Sequence, residues 1–312
     1  SPFHQRILAE ELLLSRGGND IGRVTPTLST ASIDLNPHQL EAAIFALESL
    51  PYGGCILGDE VGLGKTVEAG MGIAQLISEG RGRILILAPA PLRAQWRDEL
   101  WDKFGLVAEC VDGPSAKASG RLNPFDLPVP VICSVPFAAN RPDALREIPW
   151  DLVVIDEAHR LRNAYRPTHK TGRALRPALA RVPKLLLTAT PLQNSLMELY
   201  GLVSLIDETI LGTEESFRTL YAPLLHPPPP AGAPDEAQRR AERDQLLQDL
   251  KERLEPVVQR TLRRQVREYV KYTNRRSIVE DFQPSLEEQE LYDRVSEYLC
   301  REEVAAIPPE RG

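Results

Sequence analysis

The stretch GDEVGLGKTVEAG (58–70) carries the densest chemistry in the chain. It follows the apolar run Cys55-Ile56-Leu57 and leads into a helical pattern. Gly62 and Gly64 let the backbone bend tightly and bring peptide N–H groups against phosphate oxygens. Lys65 reaches toward β- and γ-phosphates, and the Thr66 hydroxyl suits Mg2+. A helix starting near Lys65 adds its positive end. Asp59 stands where the strict GxxxxGK[ST] pattern has Gly, so the candidate cradle is Asp59, Gly62, Leu63, Gly64, Lys65 and Thr66.

A second cluster lies in DLVVIDEAHRLRN (151–163). Its apolar run delivers Asp156 and Glu157 to a strand end. Asp156 is suited to hold Mg2+ directly or through water, and Glu157 to orient and deprotonate an attacking water. A phosphate loop with an acidic strand end about 90 residues later makes a nucleotide hydrolase site, with Lys65, Asp156 and Glu157 as the catalytic candidates.

The elements that must position these residues are legible as unbroken apolar runs: CILGD (55–59), RILILAP (83–89), VPVICS (129–134), DLVVID (151–156) and KLLLTAT (184–190). Such runs, each followed by a helical stretch, predict strands of a parallel sheet buried on both faces, with right-handed crossovers. Ligands of such sheets sit at the carboxyl ends of the strands, where the polar residues also fall. The expected fold is an α/β, doubly wound parallel sheet with helices on both faces that carries a phosphate loop. Asn36-Pro37 reads as the start of a helix running to Pro51, and residues 1–16 as an amphipathic helix ended by Gly17-Gly18. After about residue 212 the pattern changes. Residues 227–234 (PPPPAGAP) form a linker or exposed loop, and 235–255 a charged helix whose Leu246, Leu247, Leu250 and Leu254 share one side. A strand is expected at 277–283 and a helix at 285–306. The expected division is 1–34, a helical extension; 35–206, a nucleotide-binding lobe; 207–275, a helical protrusion; and 276–312, a linker.

The chain has 312 residues, of which 42% are hydrophobic and 26% charged, a globular composition. No apolar run approaches the ~18 residues of a membrane span. Cys55, Cys110, Cys133 and Cys300 are far apart and form no CxxC, which disfavours a disulfide scaffold or zinc site and fits a reducing cytosol. The start Ser1-Pro2, without Met or a signal pattern, suggests a trimmed chain. A net charge of −7 argues against indiscriminate nucleic-acid binding. Two stretches depart from that average. Residues 160–184 hold eight Lys or Arg and no acid, among them Arg160, Arg162 and Arg166. Residues 260–276 hold seven against Glu268. The first is expected to contact duplex phosphates; for the second, DNA and a packing face are equally open.

DEVGLGKT with DEAH resembles the superfamily 2 helicases and translocases. LLLTATPLQN (185–194), APAPLRAQW (88–96) and LRR (262–264) narrow the resemblance to the SWI/SNF-type ATPases, and the TAT at 188–190 with the opening SPFHQRILAEELL (1–13) to their bacterial RapA-like branch, over about residues 35–300. The resemblance implies a RecA-like lobe of the P-loop NTPase kind and an ATP-driven translocase on double-stranded DNA that remodels protein–DNA complexes, with ATP and Mg2+ at its site. It implies that Gln39 reads the adenine ring, and that His159, Thr188 and Thr190 couple the nucleotide site to DNA movement. Pro89, Arg93, Gln95 and Ser134 match segments facing the tracking strand. Family enzymes close a second lobe, bearing arginine fingers, over the nucleotide. No matching segment exists here, so the chain reads as one lobe of a larger enzyme, binding DNA weakly and hydrolysing ATP poorly. A monomer in the bacterial cytoplasm, at the nucleoid, is expected, with no membrane contact and with RNA polymerase or a repair or defence complex as candidate protein partners. Two other readings stay open: a strand-separating helicase, and a nucleotide-gated interaction module.

Overall fold

In a computed structural model, described for residues 36–191, 195–225, 236–266 and 285–299, the chain builds a seven-stranded, wholly parallel sheet. Its strands are β1 (Gly54–Leu57), β2 (Ile84–Leu87), β3 (Glu109–Cys110), β4 (Val131–Cys133), β5 (Leu152–Ile155), β6 (Lys184–Leu187) and β7 (Val258–Gln259), in the order β3-β4-β2-β5-β6-β1-β7. The five strands expected from apolar runs all form. The two edge strands escape a sequence reading because each is two residues long and only partly buried or exposed. The expected helix at 1–16, the proline-rich stretch 227–234 and the strand at 277–283 lie outside the described residues.

Alternation along each strand divides the core between the two faces. Cys55, Leu57, Ile84, Ile86, Val154 and Leu185 pack under α1 (Pro37–Ser49), α2 (Lys65–Ser78) and α3 (Arg93–Phe104). Ile56, Leu85, Val153, Ile155 and Leu186 face the other layer. That side holds α4 (Gly113–Ser119), α5 (Val135–Ala139), α6 (Pro142–Arg146), α7 (Lys170–Ala178) and α8 (Leu196–Ile206), which between them bury Phe137, Leu145, Leu175 and Val203. This is the RecA-like α/β architecture expected.

Beyond α8 come α9 (Glu214–Leu220), α10 (Ala222–Leu225) and α11 (Glu236–Leu254). On α11, Leu250 is buried and Leu246 and Leu254 pack against the core, but Leu247 is exposed, which corrects its expected place on the same side. After α11 the chain returns to the sheet as β7, beside β1. Residues 1–270 form one compact unit and 271–312 another; the latter's helix α12 (Leu286–Leu299) exposes Leu286, Leu291 and Tyr292. Among the described residues no helix is long and apolar enough to cross a membrane.

Candidate nucleotide site

The carboxyl ends of β1, β5 and β6 bring the two clusters to one rim of the sheet. Leaving β1, the chain turns through Gly62 (φ +84°) and Gly64 (φ +97°) into α2. Both angles lie where side chains are disfavoured. At Gly64 a Cβ would also stand 2.3 Å from Gln39 Nε2, so a side chain there would strain the backbone and displace the Gln39 amide. Leu63 is buried, and its carbonyl accepts a hydrogen bond from Gln39 Nε2 at 2.9 Å and faces His38 Nε2 at 3.0 Å. Gln39, whose Oε1 accepts the Asn36 N–H at 3.3 Å, is thereby placed against the phosphate loop.

Lys65 Nζ donates to the Asp59 carbonyl at 2.6 Å and to that of Glu60 at 3.4 Å, curling over the loop. Burial lowers the pKa of its ammonium, and the charges of Glu68, Asp59, Glu157 and Asp156 oppose that shift. Asp59 and Glu68 lie wholly buried beneath the loop. Burial and the neighbouring Asp59 push the Glu68 carboxyl up to about 9, so it is protonated at neutral pH.

At the end of β5, Asp156 is fixed at both oxygens. Oδ1 accepts the Glu157 N–H at 2.8 Å and Oδ2 the Trp96 indole N–H at 2.9 Å. Glu157 has φ +49°, the one non-glycine residue with positive φ among the described residues, a strained conformation of the kind that clusters at functional sites. His159 Nδ1 lies 3.1 Å from Glu157 Oε2, an ion-pair distance without hydrogen-bond alignment. At the end of β6, the Thr188 N–H donates to the Leu57 carbonyl, and buried Thr188 Oγ1 accepts the Thr190 N–H. Thr66 is half-buried in the first turn of α2. Among the described residues no group of three His, Cys, Asp or Glu could hold a metal. A site with one hydroxyl and one carboxylate fits Mg2+, which keeps waters and phosphate oxygens as its other ligands.

The candidate DNA residues are dispersed. Arg93 reaches the Val111 carbonyl at 3.5 Å and Asp112 at 3.7 Å, and Gln95 donates to Glu99 at 2.8 Å. Ser134 caps α5 by accepting the Phe137 N–H, the ordinary role of a serine there. Arg162 pairs with Glu198 at 3.0 Å, whereas Arg160 is exposed and exposed Arg166 lies over the Tyr165 ring. Within the same basic run Arg176 pairs with Glu208, and buried Lys184 donates to the Val182 carbonyl. Arg176 and Arg181 line a recess of about 980 Å3 that also takes in Gly53 and Pro183, at the amino ends of β1 and β6, away from the clustered carboxylates.

Sequence reasoning missed three contributors: Trp96, Glu68 and the 257–263 segment beside the loop. The tryptophan was visible in APAPLRAQW, but its partner lies 60 residues away.

Residues 38–308 match the SNF2-related domain family. The ATP-dependent helicase YqhH of Bacillus subtilis, itself uncharacterized, is 40% identical over 189 residues, which span 60% of this chain and 32% of that protein. The RNA polymerase-associated protein RapA of Yersinia pseudotuberculosis is 36% identical over 190 residues, 59% of this chain and 20% of RapA. The SWI2/SNF2 ATPase core of Sulfolobus solfataricus, solved in complex with double-stranded DNA, superposes with a TM-score of 0.58 over 75% of this chain and 45% of that one, at 20% identity. That likeness is one of fold.

Proposed function

Because the chain belongs to the SNF2-related domain family, we propose that it is the ATP-binding lobe of a motor that moves along double-stranded DNA and remodels what is bound there. The observation that carries this reading is that the glycine turn with Lys65 after β1 and the pair Asp156–Glu157 after β5 leave the same rim of one parallel sheet. In the proposed mechanism the loop N–H groups from Gly62 to Thr66 and the start of α2 take the phosphates. Lys65 leaves the Asp59 and Glu60 carbonyls for phosphate oxygens. Thr66 and Asp156 would hold Mg2+, which would supply charge neutralisation of the phosphates when bound. Glu157 orients the attacking water and takes its proton. The strained backbone of Glu157 and its neighbour His159 provide a place where the nucleotide state reaches the residues that follow.

The chain spans about a third of YqhH and a fifth of RapA, and no segment of it resembles an arginine-finger motif. We therefore assign it residues 35–206 as the first lobe and 207–275 as the protrusion, with turnover depending on a second lobe. Exposed Arg160 and Arg166 are the proposed phosphate contacts on DNA. A bacterial cytoplasmic setting belongs to the same proposal. Lys65→Ala and Glu157→Gln in the full-length protein should abolish ATP turnover, because each removes one part of the phosphate and water geometry. Turnover within a few-fold of wild type in either variant would overturn the site assignment.

A further inference from the structure

The phosphate loop is held differently on its two halves. The inner half is fixed by burial of Leu63 and by the contacts of its carbonyl with Gln39 and His38. The outer half, Glu60 to Gly62, is exposed at Val61 and Gly62. Its long-range contacts come from residues 257–263, which run beside β1 and continue past it. The Ile56 N–H donates to the Val257 carbonyl, Gly58 N–H to Gln259, and Glu60 N–H to Thr261, at 2.8, 2.7 and 3.2 Å. In return the Thr261 N–H donates to buried Asp59 Oδ1 at 2.6 Å, and the Arg263 N–H to Glu60 Oε2 at 3.1 Å.

The strap ends in a side-chain clasp. Arg263 Nε donates to the Val61 carbonyl at 3.1 Å, and Nη2 donates to the same oxygen. Its guanidinium also lies 4.0 Å from Glu60 Oε2. Val61 immediately precedes Gly62, and a Cβ added to Gly62 would meet Arg263 Nη2 at 3.4 Å. The guanidinium therefore sits on the peptide where the loop turns, 202 residues away from it in sequence.

We infer that Arg263 is a positioning residue for the bound phosphates: by clasping the Val61 carbonyl it fixes the peptide plane that leads into Gly62 and so aims the loop N–H groups. The inference rests on reading 58–66 as a phosphate loop. A glycine-containing turn has many backbone states, and its N–H groups bind phosphate well only when that freedom has been removed beforehand. Charged hydrogen bonds from a planar fork remove it more effectively than a single ammonium does. The strap also ties the loop to chain that follows α11, so this part of the basic stretch 260–276 serves the nucleotide site.

The test is calorimetric titration of the full-length protein with Mg–ATP and with Mg–ADP, alongside thermal melts. Arg263→Ala should weaken both nucleotides about tenfold, the equivalent of one charged hydrogen bond, with the melting temperature held within about 2 °C. Arg263→Lys, which retains one donor for Val61, should recover part of the loss. Lys65→Ala serves as the control for the site itself. If Lys65→Ala loses binding while Arg263→Ala binds as wild type does, the clasp has no positioning role and the inference is overturned. A loss of affinity in Arg263→Ala matched by a fall of several degrees in melting temperature would mark a structural role and overturn it equally. If wild type binds neither nucleotide, or Lys65→Ala binds as well as wild type, the phosphate-loop reading fails and takes the inference with it.

Discussion

The Trp96 indole N–H donates to Asp156 Oδ2 at 2.9 Å, joining helix α3 to the acidic end of β5 across 60 residues of sequence. Trp96 is almost wholly buried, so water does not replace that bond readily. The indole fixes the carboxylate that the proposed mechanism assigns to Mg2+, and such supporting contacts tune a ligand's affinity. Trp96→Phe keeps most of the ring volume and deletes the donor. The expected result is about a tenfold rise in the Mg2+ concentration that half-saturates ATP turnover by the full-length protein, with the fold retained. A Mg2+ titration of turnover reads it directly; an unchanged midpoint would show that Asp156 needs no indole.

The 312-residue chain on its own should bind Mg–ATP weakly and show little hydrolysis stimulated by DNA. An arginine finger is worth about 10³–10⁵ in rate, and no segment here resembles one. Phosphate release measured with and without duplex DNA is the check. Robust DNA-stimulated turnover by this chain would mean that the fingers are dispensable or come from a second copy.

DNA binding by this chain should be weak, indifferent to sequence and steeply dependent on salt. Arg160 and Arg166 are exposed, whereas Arg162 is paired with Glu198. Replacing Arg160 and Arg166 together by Ala should flatten the slope of log affinity against log salt by about two units, near 0.9 for each phosphate left without its arginine. Arg162→Ala should lower stability instead and leave the slope alone. A fluorescence-anisotropy series in salt separates the two, and equal slopes in wild type and the double variant would place the DNA track elsewhere.

Lys184 supplies a pH signature remote from the site. Burial lowers its ammonium from 10.5 to about 8, against the attraction of Asp207. Between those values the unfolded chain binds more protons than the native one, so this group makes stability rise with pH from about 8 to 10.5. Below pH 8 the charged amine is buried at a constant cost. Lys184→Met should therefore gain most over wild type below pH 8, by up to about 3 kcal/mol, and the gap should close by pH 10.5. Urea melts at pH 7 and 10 measure it, and a gap independent of pH would refute the assignment.

What the sequence revealed, and what it did not, follows from the range of the forces involved. The runs Ile84–Leu87, Leu152–Ile155 and Lys184–Leu187 are legible because a strand covered on both faces needs apolar residues throughout. Lys65, Asp156 and Glu157 are legible because their spacing from a strand end is local. The strands Glu109–Cys110 and Val258–Gln259 are not, since their formation depends on a neighbouring strand and not on their own composition. The same holds for the indole on Asp156, the guanidinium on Val61 and the pairing of Arg162 with Glu198. Each is a partner chosen by the tertiary fold, and the last engages Arg162, one of the expected phosphate contacts, with a carboxylate of its own chain.

Strand β6 lies between β1 and β5, hydrogen-bonded to both. The strand that leads into the phosphate loop and the strand that ends in the carboxylates therefore stand two inter-strand spacings apart, about 10 Å. That interval is set by peptide hydrogen bonds and not by side-chain reach, so the sheet behaves as a fixed gauge between grip and blade. Side chains at either end could be exchanged during evolution, or softened by heat, while the gauge length held until the sheet itself came apart.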